Sequence, residues 1–380
     1  MEPIALGNRM RKAREQAGFS QEAAAARLGL KGPALSQYET GKRGVDALVL
    51  ERLAKLYGVP LNFFFEGQET RSWEQALREK GAELSDEGKA GVGRLVQLVK
   101  AFEDLYERTG TRIPERAHSP FAPLEDSALE EAAVAELAGR TRAYYDLGNV
   151  PIRDMKAFLE LHGYHVFTVP FGGAGDDLSG LIFWHPRLGA VIALNEQQAP
   201  VRRPFTMAHE FAHGLYHYGR QAILCRHGLG DPAEEFADSF ASHFLIPTPA
   251  LEERLERMGV DTVTDADEIA DLVRYFGVSP KAMRRKLEAE RRIRGEVELK
   301  GILWRAKALG YPVADYELGR AALPLQERYP YAYVELVKKA LEQGAISRRR
   351  AASLLGMSEV EFDELMEPSP EDQPEPYAIT

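Results

Sequence analysis

PFTMAHEFAHGLYH, residues 204–217, is the stretch on which the reading of this chain turns. It opens with a proline suited to a helical first turn and keeps helical spacing to its end, so a helix over 204–218 is expected. Within it stand His209, Glu210 and His213. Residues four apart on a helix share a face, so both imidazoles can reach one metal ion while Glu210, one position on, leans over the open coordination position. The pattern suits metal-assisted hydrolysis, with His209 and His213 as ligands and Glu210 as the catalytic base. His217 lies two turns from His209 and is rotated by about 80° at 100° per residue, which makes it a supporting residue at the helix end rather than a ligand.

A zinc hydrolase usually takes its third protein ligand from a neighbouring helix. A second strong helix is expected over 232–246, and Glu234, 21 residues after His213, is the candidate, with Glu235 as the alternative. Glu234, Asp238, Ala241 and Leu245 form one stripe, while Phe236, Phe240 and Phe244 can turn to the core. Asp238 can accept the remaining N–H of a ligand histidine and so fix its tautomer. Asp231-Pro-Ala-Glu234 reads equally as a capping box, which would employ Glu234 at the helix start instead. His227, His243 and Cys225 read as surface or packed residues. The expected metal is zinc, with manganese as the alternative.

The N-terminus carries a different signal. Ser20 can cap a helix over 21–28, Gly29 and Leu30 supply a tight turn and its buried plug, and 33–40 (PALSQYET) forms a short second helix ending at Gly41. That is the layout of a helix-turn-helix, in which the second helix presents side chains to base edges. Gln21, Lys31, Ser36, Gln37, Lys42 and Arg43 are the candidate contacts, the amide side chains for adenine and the cations for phosphate. Charge agrees: the chain is −10 overall, but residues 1–66 hold ten Lys/Arg against seven Asp/Glu.

With 380 residues, several domains are expected. The fold class is mainly α, α+β: a five-helix helix-turn-helix domain over 1–67, a helical connector over 68–128 with one amphipathic helix near 89–107, a zincin-like domain over 129–295 with a small sheet and the HExxH helix, a helical C-terminal region over 296–366, and a disordered acidic tail over 367–380. Helices are expected at 129–145 and 265–295, and strands over Tyr164 to Val169 and Leu181 to Leu194. No apolar run approaches the roughly 18 residues of a membrane helix, and the single Cys225 fits a reducing cytoplasm. SRRRAASLLGM, 347–357, repeats the Ser-x-x-x-Ala-Ala-x-x-Leu-Gly-apolar pattern of Ser20 to Leu30. It reads either as a second helix-turn-helix-like unit or as a hairpin used for docking or dimerisation.

MRKAREQAGFSQEAAAARLGL (10–30) with SQYETGKR (36–43) resembles the Cro/CI-type (XRE) helix-turn-helix family, although Gly32-Pro33 stands where polar residues are common. The resemblance implies a double-stranded DNA operator, and paired half-sites imply a homodimer. FTMAHEFAHGLYH (205–217) with EEFADSFASHFLIP (234–247) resembles the ImmA/IrrE metallopeptidase family over about 135–290. Arg203, Phe205, Thr206, Ala208, His209, Glu210, His213 and His217 match its first signature. Glu234, Ala237, Asp238, Phe240, Ala241, Leu245 and Pro247 match its second. Val278-Ser279 fits a later family feature, but Lys286-Leu287 stands where an arginine-leucine is usual. This second resemblance implies a zinc-dependent endopeptidase that cuts a protein substrate such as a cognate repressor or antitoxin in a stress response. Two rival readings stay open: a non-proteolytic repressor whose metal domain senses a ligand or only stabilises the fold, and an antitoxin paired with a toxin.

Overall fold

The computed structural model describes residues 3–17, 19–30, 32–57, 64, 73–114, 119–124, 129–172, 178–218, 220–226, 231–295, 297–308, 310 and 323–366. It divides into two compact units, Met1–Ser72 and Trp73–Thr380.

The first unit contains α1 (Pro3–Gln16), α2 (Gln21–Leu28), α3 (Gly32–Glu39) and α4 (Ala47–Tyr57). The fifth helix of the expected bundle would fall on 58–72, of which only Phe64 is described. The Ser20 hydroxyl accepts from Ala23 N, and Gly29 ends α2 at φ 64, a conformation that costs glycine nothing. Met10, Ala13, Ala24, Ala25, Leu28, Leu35 and Leu53 form the core. Gly7 lets α1 cross α3 closely: a Cβ there would sit 2.5 Å from the Glu39 carbonyl oxygen.

Glu39 is fully buried among these helices. Its carboxylate accepts from Arg14 Nε at 2.7 Å, Arg14 Nη2 at 3.0 Å and Gln21 Nε2 at 2.8 Å. The charge is thus paired and hydrogen-bonded, the condition under which burial is tolerated.

The second unit is built round a four-stranded sheet: β1 (His165–Val169), β2 (Leu178–His185), β3 (Gly189–Asn195) and β4 (Ala222–Arg226), in the order β1-β3-β2-β4. β1 runs parallel to β3, and the other pairs are antiparallel. Both faces are covered, which explains why the strands are apolar on both sides rather than alternating. Ala190, Ile192 and Leu194 of β3 join one core, and Val191 and Ala193 join the other.

On the first face lie α7 (Glu131–Tyr144), α8 (Met155–Leu161), α9 (Arg203–Tyr216) and α10 (Pro232–Leu245), followed by α11 (Thr248–Met258), α12 (Ala266–Phe276), α13 (Pro280–Ala289) and α14 (Leu299–Ala308). On the second lie α5 (Trp73–Lys80), α6 (Asp86–Thr109), α15 (Leu325–Arg328), α16 (Tyr331–Glu342), α17 (Arg348–Leu354) and α18 (Glu359–Met366).

The boundaries therefore fall differently from the sequence reading. The stretch taken as a connector supplies α6, whose Leu95, Val99, Phe102 and Tyr106 pack against the sheet together with α16 from the C-terminal region. Neither apolar face could stay exposed, so the connector and the C-terminal segment complete one core. The single run expected over Leu181 to Leu194 is two strands joined at residues 186–188, and the helical stretch over 265–295 breaks at Gly277, φ 68. The tail 367–380 lies outside the described residues. Among those described, no helix is long and apolar enough to cross a membrane.

Candidate metal centre and nucleic-acid interface

Helix α9 lies against the sheet because small residues allow it. A Cβ on Gly214 would come within 2.6 Å of the Tyr164 ring, and one on Gly180 of β2 would come within 2.6 Å of Glu210 Oε1. That contact leaves His209, Glu210, His213 and His217 all buried.

The distances bring the expected donors together. His209 Nε2 and His213 Nε2 are 3.2 Å apart, and Glu234 of α10 reaches both, Oε2 at 3.4 Å from His209 and Oε1 at 3.2 Å from His213. The cap question resolves by geometry: the Asp231 carboxylate accepts from Ala233 N at 2.9 Å, and the Glu234 carboxylate faces the histidine pair. Asp238 Oδ1 lies 2.8 Å from His209 Nδ1, and His217 Nδ1 lies 3.0 Å from His213 Nδ1. Each imidazole of the pair thus has its far nitrogen held, which turns Nε2 towards the shared space.

Cys225, a surface or packed residue by its sequence, lies in this cluster. Its thiol donates to Glu210 Oε2 at 3.3 Å, and its Sγ belongs to a group with His209, His213 and Glu234 whose donor atoms lie within 4.8 Å of one another. Its strand β4 reaches the cluster only through pairing with β2, so no local spacing in the sequence could reveal it. Gly180 is likewise visible only once the strand and helix are assembled.

The electrostatics of this cluster are those of a cation site. Burial pushes the Glu210 carboxyl up to about 8, although the neighbouring His209 charge opposes this. Glu210 Oε1 is buried with no hydrogen-bond partner. Burial would raise the Glu234 carboxyl too, but both histidines overcome it and hold the group well below its ordinary value. His209 is disfavoured as a cation by burial, yet Asp238 and Glu234 together lift it to about 10. Burial raises the Cys225 thiol well above its usual value, with the Glu210 charge adding to this.

A divalent cation fits this set. Two imidazole nitrogens and a carboxylate converge, a buried carboxylate oxygen lacks a partner, and nitrogen–oxygen sites of this kind suit zinc-class ions.

At the other end of the sequence-predicted sites, the departure at Lys286 is accommodated. Its ammonium, 2% exposed, pairs with Glu290 at 2.6 Å and bonds His243 Nδ1 at 2.9 Å and Thr248 Oγ1 at 3.2 Å, tying α13 to α10 and α11.

In the first unit, Gln37 of α3 and Lys42 and Arg43 of the following turn are exposed, and Ser36 is half-buried. Arg43 also stacks over the Tyr38 ring at 5.4 Å. Gln21 differs from its expectation as a free contact, because the bond to Glu39 holds its amide nitrogen. Lys31 lies outside the described residues.

Residues 159–288 match the family described as the IrrE N-terminal-like domain, and residues 5–62 match that described as a helix-turn-helix domain. The chain is 32% identical over 90 residues to the HTH-type transcriptional regulator ImmR of Bacillus subtilis (strain 168), covering 22% of this chain and 71% of that protein. It is 36% identical over 63 residues to an uncharacterized HTH-type transcriptional regulator of Sinorhizobium medicae (strain WSM419), covering 17% of this chain and 45% of that protein. The crystal structure of ComR from Streptococcus suis aligns over 97% of this chain and 91% of that one at 12% identity, but with a TM-score of 0.16, too low to bear on the fold.

Proposed function

Because this chain belongs to the helix-turn-helix transcriptional regulators and joins an IrrE-like domain to its DNA-binding module, we propose that it is a cytoplasmic operator-binding protein whose second unit is a metal-dependent endopeptidase. Its substrate would be a cognate repressor or antitoxin, cut in response to stress, and its reading of paired half-sites would be as a homodimer. The observation that carries the peptidase reading is the convergence of His209, His213 and Glu234 beside a buried, half-unpartnered Glu210.

His209, His213 and Glu234 would hold a zinc ion, with manganese as the alternative, leaving one position for water or substrate. When bound, such an ion supplies Lewis acidity to a peptide carbonyl and to water. Glu210 accepts the proton of the attacking water and returns it to the departing amine. Asp238 and His217 keep the two ligand rings in register, and the buried setting of α9 strengthens every charge interaction at the site.

A second reading rests on Cys225. If its sulfur joined the other three donors, four protein ligands would close the site, as in structural zinc centres, and the domain would sense or stabilise without cutting.

The two are separated by incubating zinc-loaded wild type and Glu210→Gln with a proteome-derived peptide library and reading new N-termini by mass spectrometry. The peptidase reading expects termini produced by wild type alone. Identical profiles for the two proteins would remove it in favour of the closed site.

A further inference from the structure

The hairpin α17–α18 repeats α2–α3 in structure as well as in sequence. Ser347 accepts from Arg350 N at 3.2 Å as Ser20 accepts from Ala23 N at 3.1 Å. Gly356, φ 65, follows the first helix as Gly29, φ 64, follows α2. Met357 N bonds Ala352 O at 3.1 Å where Leu30 N bonds Ala25 O at 2.9 Å. Phe362 is buried in α18 at the position Leu35 holds in α3. The geometry is that of a reading module, but the outer side chains are wrong for DNA. Glu359, Glu361, Asp363 and Glu364 of α18 are all exposed, and such a face repels a polyanion.

What the hairpin does instead is close a cavity of about 310 Å³ against α6, the end of β1 and the α15–α16 corner. Three arginines from three elements line it: Arg94 of α6, Arg328 of α15 and Arg350 of α17. Neighbouring Arg348 and Arg349 are answered by Asp363 at 2.9 Å and Glu359 at 4.0 Å. Among the described residues, none of the three lining arginines makes such an ion pair. Glu196 is the single carboxylate on the wall, and Glu361 of α18 faces Arg328 from beside it, so three guanidiniums meet two carboxylates and one positive charge stays uncompensated. The positive φ of 65 favours glycine at Gly356, and a Cβ would fall 2.8 Å from Arg328 Nη2 and 3.0 Å from the Tyr329 hydroxyl, so any other residue would push the guanidinium aside. The absent side chain leaves room for the guanidinium, which also packs over the Tyr329 ring at 5.1 Å.

We propose that this cavity is a binding site for a small phosphate-bearing molecule, clamped by Arg94, Arg328 and Arg350. Guanidinium forks match phosphate oxygens bidentately, and the volume lies at the small end of ligand pockets. The exposed acids of α18 beside it turn away extended polyanions, so the ligand is small and not a nucleic-acid backbone. The helix-turn-helix scaffold is here a ligand clamp, with Arg350 in the first helix and Gly356 in the turn as its working parts.

The test is isothermal titration of the full chain with inorganic pyrophosphate, and with citrate as a polycarboxylate of similar charge. The expected result is saturable pyrophosphate binding at one site per chain, weakened about tenfold or more in Arg328→Gln and in Arg350→Gln. Arg348→Gln, which removes the same charge from the same helix but leaves the cavity wall intact, should change affinity less than about twofold. Arg350 is exposed, so its variant carries the test even where Arg328→Gln loses stability. Absence of saturable binding, equal weakening in Arg348→Gln, or citrate binding as tightly as pyrophosphate would each overturn the proposal.

Discussion

Glu39→Gln should strongly destabilise the N-terminal unit while leaving the second unit intact. The carboxylate is fully buried and holds three donors, two from Arg14 at 2.7 and 3.0 Å and one from Gln21 at 2.8 Å. The amide keeps the volume but removes the charge, stranding a guanidinium that is itself buried. Breaking a buried pair in this way costs about 3–5 kcal/mol. A domain of this size has a total stability near the low end of about 5–15 kcal/mol, and each kcal/mol lost moves its melting point by about 4–8 °C. The transition of the first unit should therefore drop by about 12 °C or more. All three tryptophans, Trp73, Trp184 and Trp304, lie in the second unit, so their fluorescence reports that unit alone while circular dichroism at 222 nm adds the helices of the first. The expected record is a new early loss of ellipticity with an unchanged fluorescence transition, together with loss of DNA binding. A shift below about 4 °C with DNA binding retained would mean that the Arg14–Glu39–Gln21 network is not what fixes α3, and the reasoning would be refuted.

Other substitutions probe the second unit. Gly180→Ala puts a methyl 2.6 Å from Glu210 Oε1 and 3.0 Å from Thr206 Cγ2, so it should cost about 1–3 kcal/mol in urea unfolding and displace the Glu210 carboxylate while metal content stays unchanged. Cys225→Ala separates three ligands from four: with three, the metal content matches wild type by elemental analysis, and loss of the ion would assign the sulfur to it. His165 is buried against the Phe102 ring, and burial lowers its imidazole from 6.5 to about 4 despite the Leu188 carbonyl. The folded state thus favours the neutral ring, so its contribution is complete above pH 6.5 and disappears as pH falls towards 4, to a limit of about 3 kcal/mol. His165→Phe should flatten that part of the stability profile measured by urea midpoints between pH 7 and 4. A parallel profile would place the acid sensitivity elsewhere.

What the sequence disclosed follows from what is local. The helical repeat alone sets His209 and His213 on one face, and Ser20, Gly29 and the alanines between them announce α2 and its turn. Glu234 was legible as one of two roles, and only the assembled structure shows its carboxylate turned to His209 and His213 rather than back to the helix start. The missed features all depend on distant pairing. Cys225 reaches the cluster through the β2–β4 ladder, Gly180 matters because β2 lies against α9, and Gln21 meets Glu39 across the α2–α3 turn. The apolar stripe of α6 was recognised as amphipathic, but nothing near it in sequence names its partner, which is the far face of a sheet some sixty residues on together with α16.

The measurement that bears most directly on the metal centre is elemental analysis of this chain after gentle purification, with His213→Ala and Glu234→Ala prepared in parallel. The account predicts about one zinc-class ion per wild-type chain and its loss from both variants, with the DNA-binding unit still folded. A wild-type protein that carries no ion and takes up none from a zinc-buffered solution would contradict it.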